Sequence, residues 1–178
     1  KVKQNYDVAL KWFSMAAKQK HVKAIANMGL CYQLGRGIKQ DSVMAVKLYK
    51  ESIKAGNVEL VKQREENVAK NKSAFDINLL ADIYYNGCGD TVKKNNELAL
   101  KYLKMAAANN SIEAAVRVAT IYDQAKMYTE ALPYYQKAAS KGDAVSEYKC
   151  GDYLCNGKGT KVNKAQAAAY LDKAAKKN

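Results

Sequence analysis

The residues that could do chemistry are few and poorly placed for it. There are four cysteines, Cys31, Cys88, Cys150 and Cys155, and one histidine, His21. A zinc site calls for CxxC-like spacing and more than one imidazole, and the chain offers neither. His21 has no partner nucleophile at a motif spacing, and neither a GxSxG elbow nor a phosphate-binding glycine loop occurs. Carboxylates are abundant but scattered. The expectation is therefore a non-enzymatic protein with no catalytic residue, metal ligand set or cofactor. Should Cys150 and Cys155 share a helix, about 7.5 Å of axial rise separates them. That is too far for a disulfide without unwinding. Cys31 and Cys150 fall among apolar stripe residues and read as small core hydrophobes, and all four cysteines are expected to be free thiols.

Composition narrows the class further. Of 178 residues, 48% are hydrophobic and one is proline, which suits uninterrupted helices. No apolar run approaches the roughly 18 residues of a membrane span. The net charge is +13, from 30 basic and 17 acidic residues. Only Arg36, Arg64 and Arg117 carry the planar fork that reads phosphates and guanine edges; the rest of the positive charge is lysine, a hydrated point charge. The tyrosines occupy stripe positions and do not interleave with the basic residues. This points to a solvated lysine-rich surface and away from nucleic acid, although a basic module binding nucleic acid or an anionic envelope polymer stays open as the alternative function.

The elements that must position these residues are repeated. In AIANMGLCYQLGRGIKQDSVMAVKLYKESIKAG, from Ala24 to Gly56, Ile25, Met28, Gly29 and Tyr32 form one helical stripe, which Gly35-x-Gly37 ends. Asp41 suits an N-cap for a second helix, with stripe Ala45, Leu48, Tyr49, Ser52 and Ile53. Gly29 and Ala45 are small where the two helices would cross. Copies follow at Ala9, Ala45, Ala99, Ala131 and Ala167, the successive first alanines lying 36, 54, 32 and 36 residues apart. The glycine loops LGRGIKQD, NGCGDTVKKN and NGKGTKVN end on the expected caps Asp41, Asn95 and Asn163. Around Ala131 the glycine loop is lost.

The pattern G-x-x-Y-x-x-G-x-G, then Asp or Asn, then A-x-x-[YLF]-x-x-[AS][AI] resembles the Sel-one-like repeat family, longer-looped relatives of tetratricopeptide repeats. The resemblance implies an all-α fold, a right-handed α-solenoid of stacked helix-turn-helix repeats. It also implies a scaffold or adaptor that binds protein, in settings from bacterial envelope assembly and toxin-immunity pairs to eukaryotic quality control. Some bacterial relatives staple each hairpin with paired cysteines; that pairing is missing here.

In chain order the sequence reads as a single repeat domain, 1–178. The second helix of a truncated repeat spans 1–20, because Val2-Lys3-Gln4-Asn5 aligns with Ile38-Lys39-Gln40-Asp41, as if the sequence began in mid-repeat. A repeat at 21–57 follows, then a helical insertion at 58–73, a repeat at 74–110, a tetratricopeptide-like repeat at 111–143 and a last repeat at 144–178. Trp12 and Phe13 are expected to fill the groove under the next repeat. The insertion, VELVKQREENVAKNKS, keeps a thin stripe of Leu60, Val61, Val68 and Ala69, which suits an extra helix, an extended first helix or a drifted repeat remnant. Pro133 is expected near the first turn of its helix. Tyr170, Leu171 and Ala174 are expected to lack a following repeat in the sequence, which predicts either more chain downstream or contact with a partner, end-to-end self-association included.

First helices line the concave side of such stacks, so residues off their packing stripe form the candidate groove. Alignment on Tyr32, Tyr84, Tyr122 and Leu154 places Leu30, Asp82, Thr120 and Asp152 two residues earlier. Gln33, Tyr85, Asp123 and Cys155 fall one residue later, and Ala26, Asn78, Val116 and Tyr148 six residues earlier. The expected partner-binding set is Gln33, Asn78, Asp82, Tyr85, Thr120, Asp123, Tyr148 and Asp152. Asp82, Asp123 and Asp152 read either as ordinary solvated residues of exposed helix faces or as an acidic groove on a basic protein, which would take a protein or peptide segment of basic or polar character.

Overall fold

A computed structural model describes residues 5–177; the Val2-Lys3-Gln4 segment aligned above lies outside them. Ten α-helices are present among the described residues, with two isolated bridges at Cys88 and no named strand. They fall into two compact units, residues 1–95 and 96–178.

The N-terminal unit holds α1 (Tyr6–Lys18), α2 (Val22–Leu34), α3 (Ser42–Lys54), α4 (Val58–Asn71) and α5 (Ala74–Asn86). Each starts on a polar cap whose side chain accepts an otherwise unpaired backbone N–H, as Asp41 does from Met44 at 2.9 Å. Glycine ends α2, with Gly35 at φ +66°, where a side chain would be strained. The chain then returns so that the Asp41 N–H donates to the Tyr32 carbonyl, 2.9 Å away. The same return recurs as Asn95 to Tyr84 here and as Asn163 to Leu154 in the other unit, both also 2.9 Å. One backbone hydrogen bond thus closes the glycine loop in all three glycine-loop repeats.

Ala45, Tyr49 and Ile53 of α3 are fully buried on the expected stripe, and the Tyr49 ring lies against Gly29 of α2. The insertion is a separate helix, α4, with Leu60, Val61 and Val68 buried. Ala69 is exposed, and the residue completing the stripe is Arg64, 5% exposed. Its guanidinium lies over the Tyr49 ring, 4.2 Å from the centroid, and reaches Asp76 of α5 at 3.2 Å. A charge is tolerated there because a carboxylate and an aromatic face meet it.

Trp12 does not fill a groove. It is 64% exposed, with Val8 and Met15 beside it, because α2 covers only the neighbouring stripe of Ala9, Phe13 and Ala16, and α1 has no buried residue.

The C-terminal unit holds α6 (Asn96–Ala108), α7 (Ile112–Gln124), α8 (Tyr128–Ala139), α9 (Ala144–Asn156) and α10 (Lys164–Ala175). Its core is built on Ala119, Tyr135, Cys150 and Tyr153. The Tyr153 ring meets those of Tyr135 and Tyr128 edge-on, with centroids 5.8 and 5.4 Å apart. Pro133 is the sixth residue of α8, one turn deeper than expected, on an exposed position. Ala174 is buried, Leu171 packs on Gly151 and Tyr170 joins the core cluster, while Leu171 and Ala174 also line an apolar cavity at the end of this unit. What the end of this unit leaves exposed is Val145 and Tyr148.

Candidate interaction faces of the first helices

In the N-terminal unit α5 carries Asn78, Asp82 and Tyr85 at one-turn spacings. Asn78 is exposed, and Asp82 and Tyr85 are half-buried. Oδ2 of Asp82 accepts from Nζ of Lys50 on α3 at 2.7 Å, and Oδ1 accepts from Asn86 at 2.7 Å. Nζ of Lys94 sits 5.4 Å from the centroid of the Tyr85 ring. Gln33 behaves differently from the others. Its Oε1 accepts from the Tyr49 hydroxyl at 2.7 Å and from Arg64 at 3.3 Å, so the side chain is committed to the core network. Burial, relieved in part by Arg64, pushes the Tyr49 phenol up to about 12.

In the C-terminal unit α7 carries Thr120 and Asp123, and α9 carries Tyr148 and Asp152. The Thr120 hydroxyl donates back to the Val116 carbonyl at 2.9 Å. Asp123 accepts from Lys149 at 2.8 Å and from the Tyr153 hydroxyl in a short hydrogen bond. Burial alone would raise the Asp123 pKa, but these two donors win and hold it below the ordinary value. Lys149 is raised in turn, first by its hydrogen bond to Asp123. Asp152 accepts from Lys158 at 2.8 Å and from Asn156 at 2.7 Å. Lys158 also acts on Asp123 through space, and Asp152 on Lys149, so the two aspartates and two lysines form one cluster of alternating charge. Tyr148, one turn before Asp152, stands 56% exposed beside Val145 and Leu171 at an apolar cavity of about 460 Å³.

The three aspartates therefore do not present bare negative charge; each has a lysine of its own chain. Sequence reasoning missed Lys50, Lys149 and Lys158. Lys158 had a signal, since it is the middle residue of Gly157-x-Gly159 and lies six residues after Asp152. Lys50, 32 residues before Asp82, had none.

Burial pushes Cys150 up to about 12 and raises Cys31 and Cys88, and the Tyr153 phenol is raised far above its usual range by burial and by Asp123. What the faces can do is exchange hydrogen bonds and ion pairs with a polar segment.

Comparison with known proteins now fixes the family. The Sel1 repeat matches five times, at residues 1–21, 22–57, 77–111, 128–143 and 144–178. The chain belongs to the Sel1 repeat family. The chitin synthase regulatory factor 3 of Schizosaccharomyces pombe is 29% identical over 153 residues, 81% of this chain. A Sel1 repeat protein from Oxalobacter formigenes superposes with a TM-score of 0.52 at 26% identity, over 99% of this chain and 65% of that one. The c5321 protective antigen of uropathogenic Escherichia coli, an SLR fold, gives 0.50 at 24% identity over 98% of this chain and 42% of its own. The chain thus spans 15% of the length of its curated relative. These likenesses establish an all-α repeat fold, and Sel1 repeat proteins generally mediate protein–protein interaction. The 74–110 repeat is matched from residue 77, and the α4 segment lies outside the matched residues, as does the whole of α7. No helix among the described residues is long and apolar enough to cross a membrane.

Proposed function

We propose that this chain is a non-enzymatic interaction scaffold or adaptor that holds a basic or polar segment of a partner protein on the first-helix faces of its Sel1 repeats. Asp82, with Asn78 and Tyr85, serves in the N-terminal unit; Asp123 and Asp152, with Thr120 and Tyr148, serve in the C-terminal one. The observation that supports this is that each of the three aspartates is met by a lysine, in pairs whose side chains keep 21–39% exposure. Pairs at that depth are worth only about 0–1 kcal/mol each, so a partner's lysine or arginine can replace the internal lysine at little cost. The relative in fission yeast is named as a regulatory factor, which fits an adaptor acting on an enzyme without being one.

The test is a pull-down with mass spectrometry to identify the partner, followed by binding measured against salt. Groove binding should depend mainly on the named aspartates. The alternative, a basic module engaging nucleic acid or an anionic polymer through its +13 net charge, requires affinity to fall steeply with salt and to ignore the aspartates.

A further inference from the structure

The C-terminal unit contains a template that the N-terminal unit leaves incomplete. In the C-terminal unit the residue between the loop glycines is Lys158, four positions after Leu154, and it pairs at 2.8 Å with Asp152, two positions before Leu154. In the N-terminal unit the corresponding loop residue is Arg36, four positions after Tyr32, but the residue two positions before Tyr32 is Leu30. The loops are set alike. Gly37 lies on the backbone of Tyr6, where a Cβ would fall 2.6 Å from the Tyr6 carbonyl oxygen, and Gly159 lies in the same way on Tyr128 and Thr129.

Arg36 is thereby held in place without a counter-ion. Its guanidinium lies over the Tyr6 ring, 5.2 Å from the centroid, and no carboxylate meets it among the described residues. The other two arginines are both ion-paired, Arg64 with Asp76 and Arg117 with Glu113. A guanidinium stacked by its face keeps its edge donors available for a carboxylate. Next to it, between α1 and α2, is a cavity of about 300 Å³ lined by Ala9, Phe13, Leu30 and Cys31 together with Tyr6 and Arg36. That volume is at the small end of ligand pockets, about 300–1,000 Å³.

We propose that this cavity binds the C-terminal residue of a partner polypeptide, with an apolar side chain filling it and the terminal carboxylate on Arg36, where the other unit uses Asp152. Because the apolar wall and the guanidinium share one small cavity, one residue has to satisfy both. The last residue of a chain carries an apolar side chain and a carboxylate on the same Cα. The ligand chemistry is opposite in charge to that of the aspartate faces, so this site stands or falls independently of them.

The test titrates the full chain with a fluorophore-labelled hexapeptide library, degenerate at the first five positions and leucine at the sixth, as free acid and as C-terminal amide. The free acid should bind about tenfold or more tightly than the amide, as loss of a charge-assisted contact requires. Arg36→Ala should erase the difference, and Leu30→Glu, which supplies an internal carboxylate, should block the acid. Lys47→Ala, on the exposed side of α3, should change nothing. Circular dichroism melts report whether the variants fold, and if either does not, the acid–amide comparison on the unaltered chain decides alone. Equal binding of acid and amide, or binding of neither, overturns the proposal. So does an amidated library with aspartate at the sixth position that binds as well as the free acid, because a side-chain carboxylate would then suffice.

Discussion

Gly29 lies so close to Tyr49 that a Cβ built on it would come within 2.8 Å of ring carbon Cε1. The ring has nowhere to go: it is fully buried, its hydroxyl is tied to Gln33, and Arg64 covers its face. Gly29→Leu should therefore lower stability by about 1–3 kcal/mol through overpacking, read as a lower urea midpoint at unchanged slope. A neutral result would mean that the helices can part at no cost, against the contact seen here. Gly151, whose Cβ would meet Leu171 at 2.7 Å, should respond in the same direction.

Arg64 tests whether α4 is part of the core. Removing it strands Asp76, 2% exposed, and leaves Tyr49 without its cation. Arg64→Ala should cost about 3–5 kcal/mol, the range for breaking one side of a buried ion pair. The double change Arg64→Met with Asp76→Leu should recover much of that loss. If Arg64→Ala unfolds at the midpoint of the unaltered chain, the insertion is an appendage.

How far these features were legible in the sequence follows from their range. The alanine register placed Ala45, Ala99 and Ala131 at zero exposure, because a helix crossing imposes a small residue at a fixed local position. The caps Asp41 and Asn163 and the glycine stops are equally local, and their residue types carry them. Arg64 was passed over because a charged side chain on a stripe reads as solvent-facing until its partners, Asp76 and Gln33, are known to converge. The ion pairs of Asp82 and Asp123 join residues 32 and 26 apart, and no periodicity encodes which lysine reaches them. Trp12 was misplaced for a related reason: two adjacent stripes run along α1, and only packing decides which of them α2 covers.

Thiol chemistry separates the cysteines. All four are free in the structure; Cys31, Cys88 and Cys150 are buried and Cys155 is exposed. The Cys88 Sγ also reaches the Lys50 carbonyl at 3.4 Å. An aromatic disulfide reagent at neutral pH should label one thiol quickly in the folded protein and four after denaturation without reductant. Cys155→Ser should remove the fast phase. Fewer than four thiols in the denatured chain would show a disulfide and overturn the assignment.

Acid should loosen the C-terminal unit through Asp123. Its pKa is lowered on folding from the ordinary value of 3.8, so the folded state binds fewer protons than the unfolded one in that range. The resulting stabilisation is complete above 3.8 and is lost as pH falls through the folded pKa. Asp123→Asn, which keeps an acceptor for Tyr153 without the titration, should flatten the acid limb of the urea midpoint plotted against pH. An identical acid limb in the two proteins would show that other carboxylates control it.

The aspartate faces make the sharpest functional prediction. A partner's cation must displace Lys50 or Lys158 to reach Asp82 or Asp152, so part of the usual worth of a charge-assisted hydrogen bond, about 1.5–3 kcal/mol, is returned. Asp82→Ala and Asp152→Ala should each weaken partner binding by roughly 0.5–2 kcal/mol, while Lys50→Ala, which removes the competitor, should leave it unchanged or tighten it. Lys47 and Lys101 are exposed positions on α3 and α6, and Nζ of Lys101 lies 5.2 Å from the centroid of the Tyr102 ring. Their change to alanine should shift affinity by less than about 0.5 kcal/mol. Calorimetric titration of these variants with the identified partner separates the surfaces. If Lys47→Ala and Lys101→Ala weaken binding and the aspartate changes do not, the partner lies on the lysine-rich second helices and the first-helix faces are not the site.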